Sequence, residues 1–136
     1  MKIFTTRRRI EFADTDMGGI VHFSRFFVFM ESAEHEFLES LGSSVHFSIG
    51  EKEYGWPRVD ASCTFHSPAR YGDDLQIQVS VTHRGRRSMR YEVAFSLDGR
   101  SIATGRISSV CCQLNHPDGL KAVPIPAELK AKLSSI

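Results

Sequence analysis

The chain is organised around the stretch Asp14-Thr15-Asp16-Met17-Gly18-Gly19-Ile20-Val21-His22-Phe23, which leads directly into an apolar helical pattern. Two carboxylates stand close together and are followed by a glycine pair. Chemistry on a polarised carbonyl group needs a base or nucleophile, and it needs hydrogen-bond donors for the oxygen that gains charge. The stretch supplies both kinds of group. Aspartate and glycine also form ordinary turns, so this spacing alone favours a structural turn.

A helix is predicted for residues 24–41, directly after this stretch. Ser24 is the expected N-cap, and Gly42 is expected to stop the helix at its C-terminal end. Charged side chains, among them Glu31 and Glu34, fall on the opposite face from the apolar stripe. A sheet must cover that stripe, because the sequence contains no other long amphipathic helix. The stripe recurs at intervals of three and four residues and consists of Phe23, Phe26, Phe27, Met30, Ala33, Phe37, Leu38 and Leu41.

Period-two patterns predict the strands of this sheet. One strand, residues 3–12, comes before the loop, and four more follow one another from residue 58 onward. Asp98-Gly99 is typical of a hairpin turn. The last strand, residues 102–114, is less regular, and we expect a bulge near Gly105.

Two segments lie outside these strands. Residues 43–56 are expected to form a loop or a short helix, and residues 127–133 a short closing helix. The short turns between the strands imply antiparallel pairing. We therefore predict an α+β chain with a single domain, residues 1–136, in which a curved antiparallel sheet of about five strands wraps around one long central helix.

Composition and charge argue against several classes of function. The net charge of +1 gives no general reason to bind nucleic acid or an anionic membrane. No apolar run has the length of a membrane span, and the first residues lack the apolar core of a secretory signal, so we expect a cytoplasmic location. The three cysteines and six histidines show no zinc-ligand spacing, so no metal site is predicted.

The order of elements resembles the hotdog fold. More narrowly, the chain resembles the 4-hydroxybenzoyl-CoA thioesterase family of acyl-CoA hydrolases, whose signature is similar to residues 11–21 almost residue for residue. Supporting similarities are Glu31 in the helix, residues 65–73 before the second long strand, and Ile125-Pro126 near the end. The resemblance implies hydrolysis of an acyl- or aroyl-CoA thioester to a free acid and CoA, with no metal or redox cofactor.

The family's catalytic carboxylate matches Asp16. The resemblance implies that Asp16 attacks the thioester carbonyl or activates water for that attack, and both routes stay open. The backbone N–H of Phe23 would hold the thioester oxygen with the help of the helix dipole. Gly18 and Gly19 would allow a tight turn and close approach of the substrate to the backbone.

The family's contacts to the CoA phosphates match the basic turn Gly85-Arg86-Arg87-Ser88, where guanidinium groups and turn N–H groups suit phosphate oxygens. The acyl group would lie against Phe26, Phe27 and Met30, with Trp56 as a further candidate. Open sheet edges tend to be paired, so we expect a dimer in which two sheets join edge to edge. The resemblance implies a homodimer or homotetramer with a site shared between subunits.

The chain departs from the family at two positions. Many bacterial members carry a tyrosine where this chain has Phe12 and a histidine where it has Phe23. His22 stands one position too early to replace that histidine directly, so it is a candidate both for lining the site and for a structural role. Two alternatives therefore stay open: a non-catalytic module that binds acyl-CoA or an acyl-carrier protein, and a hotdog dehydratase. Asp14 is predicted to shape the loop through backbone hydrogen bonds.

Overall fold

A computed structural model of the chain describes residues 3–134. A short 3-10 helix, Phe12–Asp14, lies between the first strand and the long helix. The strands are β1 (Ile3–Arg9), β2 (His46–Ile49), β3 (Lys52–Gly55), β4 (Arg58–Phe65), β5 (Asp74–Arg84), β6 (Ser88–Leu97), β7 (Arg100–Val110), β8 (Cys112–Gln113) and β9 (Lys121–Ala122), and the α-helices are α1 (Phe23–Ser40) and α2 (Ala127–Ser134).

The long strands form a five-stranded sheet in the order β1-β5-β6-β7-β4, and every neighbouring pair in it is antiparallel. Inward and outward side chains alternate along β5 and β6, as the period-two patterns predict. Asp98 and Gly99 both have positive φ angles, 50° and 80°, which matches a two-residue turn between β6 and β7. The predicted α+β chain with an antiparallel sheet is confirmed.

Helix α1 packs one face against the sheet, where it contacts β1, β4, β5 and β7. Its C-terminal end is as predicted, because Gly42 has a φ of +75° and its N–H donates to the carbonyl of Glu39 at 2.9 Å. The N-cap is different. His22 occupies that position, and its Nδ1 accepts the N–H of Ser24 at 3.3 Å, so the prediction of Ser24 as N-cap is wrong.

The buried stripe of α1 also differs from the predicted one. Phe29, which lies outside the predicted stripe, is 0% exposed, whereas Phe23, which belongs to that stripe, is 62% exposed. Glu34, predicted on the opposite face, is also 0% exposed. The physical reason is the helical period: residues three and four positions apart share a face, so Phe29 and Met30 both lie on the same buried face as Phe26.

Residues 43–56 form the hairpin of β2 and β3, so the prediction of a loop or short helix there is wrong. This hairpin belongs to a second sheet with the order β2-β3-β8-β9. Gly50, with a φ of +60°, makes the turn between its strands. The strands have four residues each, and β3 pairs with β8, which lies far away in sequence, so no local pattern identifies them.

Two other strands end at different residues in the structure than the sequence predicts. Strand β1 ends at Arg9, and Phe12 lies beyond it with 79% of its surface exposed. The last predicted strand is divided, because β7 ends at Val110 and β8 belongs to the second sheet. Gly105 itself pairs in register with Cys63 and Val93, and the register shift of β7 against β6 lies a few residues earlier, between the pair of Phe95 with Ala103 and the pair of Ser96 with Ser101.

Gly105 is required for a different reason, the close packing of α1. A Cβ at this position would lie 2.5 Å from Met30 Sδ and 3.0 Å from Met30 Cγ. Met30 is 1% exposed and cannot move into solvent. We expect Gly105→Ala to lower the free energy of unfolding by about 1–3 kcal/mol, measured by urea denaturation.

The control for this prediction is Met30→Ala, which removes the colliding atoms. In that background, Gly105→Ala should cost much less than it does alone, because the two side chains interact directly. An equal cost in both backgrounds would show that the collision is not the cause.

Candidate active site

Asp14 holds the loop before α1 in place. It is fully buried, and its Oδ2 accepts the N–H of Glu11 at 2.8 Å. Its Oδ1 accepts Nε of Arg25 at 2.8 Å and lies 2.7 Å from Nη2 of the same guanidinium. Its carbonyl accepts the N–H of His22 at 2.8 Å. The prediction that Asp14 shapes the loop is confirmed.

Asp16 stands at the tip of this loop with its side chain exposed. Its N–H donates to the carbonyl of Ile20 at 2.9 Å, and its carbonyl accepts the N–H of Gly19 at 3.0 Å. Gly19 has a φ of +80°, which the tight turn requires. The N–H of Gly18 donates to Oδ1 of Asp16 at 2.8 Å, and Oδ2 accepts no hydrogen bond from residues 3–134. The Gly18 N–H therefore fixes Oδ1, and Oδ2 remains available to a ligand.

Phe23 is the first residue of α1. The first N–H groups of a helix have no acceptor in a preceding turn, and the helix dipole makes this end positive. Within the part of the chain that the structure describes, no hydrogen bond uses the Phe23 N–H. The His22 ring is exposed, stacks on the Phe23 ring with centroids 4.7 Å apart, and accepts the Ser24 N–H. His22 thus caps the helix, and its side chain does not line the cleft described next.

An open cleft of about 470 Å³ joins Asp16 to the start of α1. Three phenylalanines, Phe23, Phe26 and Phe65, contribute to its lining, and the ring centroids of Phe26 and Phe65 lie 5.4 Å apart. Such an apolar hollow with a few polar groups is typical of small-molecule sites. Its lining residues are Asp16, Ile20, Val21, Phe23, Phe26, Phe65, His66, Ser67, Pro68 and Ala69.

The connection from β4 to β5 forms the second wall of the cleft. The N–H of Val21 donates to the carbonyl of Ala69 at 2.8 Å, and Ile20 forms a bridge with Arg70, so this connection is fixed against the Asp16 loop. It brings Phe65, His66 and Ser67 to the cleft. These three residues belong to the stretch 65–73 that resembles the family, but the sequence predicts no site role for them, because a turn-rich stretch does not show which part of the fold it faces.

Three of the residues predicted to hold the acyl group lie elsewhere. Met30 is in the core beneath Gly105, and Trp56 is also buried in the core. Phe27 is partly buried and packs against that core. Of the predicted acyl-binding side chains, Phe26 lines the cleft.

The basic turn lies at the other end of the sheet. The N–H of Gly85 donates to the carbonyl of Ser88 at 2.8 Å, and the side chains of Arg86 and Arg87 are exposed. Strand β5 has 11 residues and separates this turn from the cleft, a length of about 33 Å. A single chain therefore does not bring the basic turn to Asp16.

Two further observations concern the described residues. Between residues 3 and 134, no group of three His, Cys, Asp or Glu side chains could hold a metal ion. Neither helix of this region has the length and apolar character needed to cross a membrane.

Comparison with known proteins shows to which protein family this chain belongs. Residues 10–133 match the model of the thioesterase-like superfamily. A 1,4-dihydroxy-2-naphthoyl-CoA hydrolase from Synechocystis is 31% identical over 128 residues, which cover 93% of this chain and 91% of that protein. The solved structure of a gentisyl-coenzyme A thioesterase is 27% identical, with a TM-score of 0.78 and coverage of 96% of this chain and 99% of that one.

A second solved structure, a 1,4-dihydroxy-2-naphthoyl-CoA thioesterase from Synechocystis, has a TM-score of 0.84 at 24% identity and covers 99% of this chain and 98% of that one. At this identity the match shows the shared fold. The α+β architecture with its antiparallel sheet thus agrees with the hotdog fold that the sequence predicts. The chain belongs to the thioesterase-like superfamily.

Proposed function

We propose that this protein hydrolyses the thioester bond of an acyl- or aroyl-CoA to a free acid and CoA. One observation carries the proposal: the Asp16 carboxylate and the start of α1 at Phe23 line the same aromatic cleft. A relative named as a naphthoyl-CoA hydrolase, and a neighbour named as a gentisyl-coenzyme A thioesterase, support the same reaction class.

The thioester oxygen is held by the N–H of Phe23. This donor has no acceptor among the described residues, and the positive end of the helix dipole favours the charge that develops on the oxygen. Asp16 then attacks the carbonyl carbon or takes a proton from an attacking water. The Gly18 N–H holds Oδ1 and orients the carboxylate, so Oδ2 is the oxygen available for this chemistry.

The cleft favours an aromatic acyl group. Rings of Phe23, Phe26 and Phe65 line it, and aromatic rings pack well on one another at centroid distances of 4.5–7 Å. The two similar proteins named above act on aroyl-CoA compounds according to their names. We infer that aroyl-CoA thioesters are cleaved faster than saturated acyl-CoA thioesters of similar size.

The direct test is thiol release from a panel of short, medium, long and aromatic acyl-CoA compounds. Cleavage of one subset supports the proposal and identifies the acyl class. CoA binding without release of thiol from any compound would overturn it in favour of the binding module.

The CoA phosphates are held by Arg86 and Arg87 of another subunit, in a homodimer or homotetramer. The reason is the length of β5, which keeps the basic turn of a chain away from its own cleft. Strand β4 lies at the edge of the five-stranded sheet and is mostly exposed, which suits pairing with a second copy.

A mixing experiment checks this arrangement. Asp16→Asn and the double variant Arg86→Ala/Arg87→Ala should each have low activity, because each damages every site. After the two are unfolded and refolded together, about a quarter of wild-type activity per site should return, since a mixed dimer has one intact site. Recovery no greater than the sum of the separate activities would contradict a shared site. Each variant refolded alone is the control.

A further inference from the structure

His66 is the second ionisable side chain in the cleft that holds Asp16. The other lining residues are apolar or neutral. The imidazole is exposed to the open space of the cleft and is not buried in the core. It is therefore placed where it can meet a substrate whose carbonyl lies at the start of α1.

The position of His66 is well fixed for an exposed residue. Its backbone N–H donates to the carbonyl of Ile102 at 2.8 Å, as does the N–H of Ser67 at 3.1 Å. Its Nε2 lies 3.1 Å from the hydroxyl oxygen of Thr104 on β7. Among the hydrogen bonds of residues 3–134, none uses Nδ1, so this nitrogen is the one left to face a ligand.

The proposed reaction is served better by a second proton-handling group beside Asp16. When Asp16 acts as base it takes a proton, and the departing sulfur must take a proton to leave as a thiol. A carboxylate that has taken the water proton can return it to the sulfur only if it reaches both atoms, and an Asp16 that acts as the nucleophile has no proton to give. A positioned imidazole in the same cleft meets this need.

We propose that His66 is the general acid that protonates the sulfur of the departing CoA, an inference that rests on the proposed function. Water adds to the carbonyl carbon and gives its proton to Asp16, while the carbonyl electron pair moves to the oxygen bound by Phe23. The carbonyl then re-forms, the C–S bond breaks with its electron pair on sulfur, and the protonated imidazole gives its proton to that sulfur. The proton on Asp16 passes through water to His66, which restores both groups.

The same role holds if Asp16 is the nucleophile. In that route the C–S bond breaks as an acyl–aspartyl anhydride forms, and the proton of His66 again goes to sulfur. Water then hydrolyses the anhydride and regenerates the carboxylate. The test therefore does not depend on which route Asp16 takes.

The variant His66→Gln tests the proposal with three thioesters of one acyl group. The thiols are CoA, N-acetylcysteamine and 4-nitrothiophenol. The first two are alkyl thiols whose departure is assisted by a proton, whereas the weakly basic aryl thiolate gains little from one. We expect kcat/KM to fall about 100-fold for the CoA and N-acetylcysteamine esters and to stay within about threefold of wild type for the aryl ester.

Other patterns overturn the inference. Equal losses on all three esters would indicate a structural role, a loss confined to the CoA ester would indicate a contact to the rest of CoA, and no loss would show that His66 does not take part. A wild-type protein that cleaves none of the three would overturn the proposed function itself. These outcomes separate the failure of the inference from the failure of the function on which it rests.

Thr104 supplies a matched pair of control variants. It is a positioning residue, because it contacts the imidazole at Nε2 and does not line the cleft. Thr104→Val should give a smaller loss with the same dependence on the leaving thiol, and Thr104→Ser should keep wild-type rates because it retains the hydroxyl. Loss of activity in the serine variant alone would contradict this assignment.

Discussion

Asp16→Asn is expected to remove most of the thioesterase activity while the protein stays folded. The amide oxygen of asparagine can still accept the N–H of Gly18, which lies 2.8 Å from Oδ1, so the loop is retained. The change removes the negative charge that a base or nucleophile requires. We expect kcat/KM for the best acyl-CoA to fall about 10²- to 10⁴-fold, measured by thiol release.

Asp98→Asn is the matched control for this variant. It makes the same chemical change at an exposed turn, where the φ of 50° is one that asparagine tolerates well. Its activity should equal that of wild type. Binding of CoA should be retained in both variants. If Asp16→Asn cleaves acyl-CoA at nearly the wild-type rate, Asp16 is not the catalytic carboxylate.

Arg58→Met is expected to destabilise the protein by an amount that grows with pH. Glu34 is fully buried between α1 and the sheet, where the Arg58 guanidinium binds its Oε1. Arg58 also donates to the carbonyl of Trp56 at 2.9 Å. Removal of one partner of a buried ion pair leaves the other charge without compensation, which is costly.

The protonation of Glu34 sets the pH range of this effect. Burial raises the pKa of Glu34 from 4.5 to about 7, and the neighbouring charge of Arg58 opposes that rise. The folded state therefore holds a proton that the unfolded state has lost. Stability from the neutral carboxyl is present below pH 4.5 and is lost as the pH rises to about 7. Without Arg58, the pKa of Glu34 rises further, and the loss continues to higher pH.

Urea denaturation at several pH values measures the difference. At pH 5 Glu34 is neutral in both proteins, and Arg58→Met should cost less than about 1 kcal/mol in free energy of unfolding. At pH 9 the cost should reach about 2–3 kcal/mol, because each pH unit between the two folded-state pKa values adds about 1.4 kcal/mol. The double variant Glu34→Gln/Arg58→Met is the control and should lack this dependence. A cost that is the same at pH 5 and pH 9 would contradict the explanation.

Periodicity and turn chemistry determined the main sheet and the long helix from the sequence. The alternation of apolar and polar residues predicts the strands β5 and β6. The Asp98-Gly99 turn is too short for any but antiparallel pairing of the strands that it joins. Both patterns are local in the sequence. The same local chemistry identified Gly42 as the end of α1. The Asp16 motif is also contiguous, so its resemblance to a known family could be recognised without the fold.

The tertiary structure alone decided which side chains share a site and which polar groups are buried. His66 shares a cleft with Asp16 because the connection after β4 packs on the loop before α1, a contact between segments about 50 residues apart. Glu34 enters the core because Arg58, on an edge strand, supplies the opposite charge there. The hairpin of β2 and β3 exists because β8 completes its sheet. Each of these features depends on long-range contacts, which the pattern of residues within one segment does not contain.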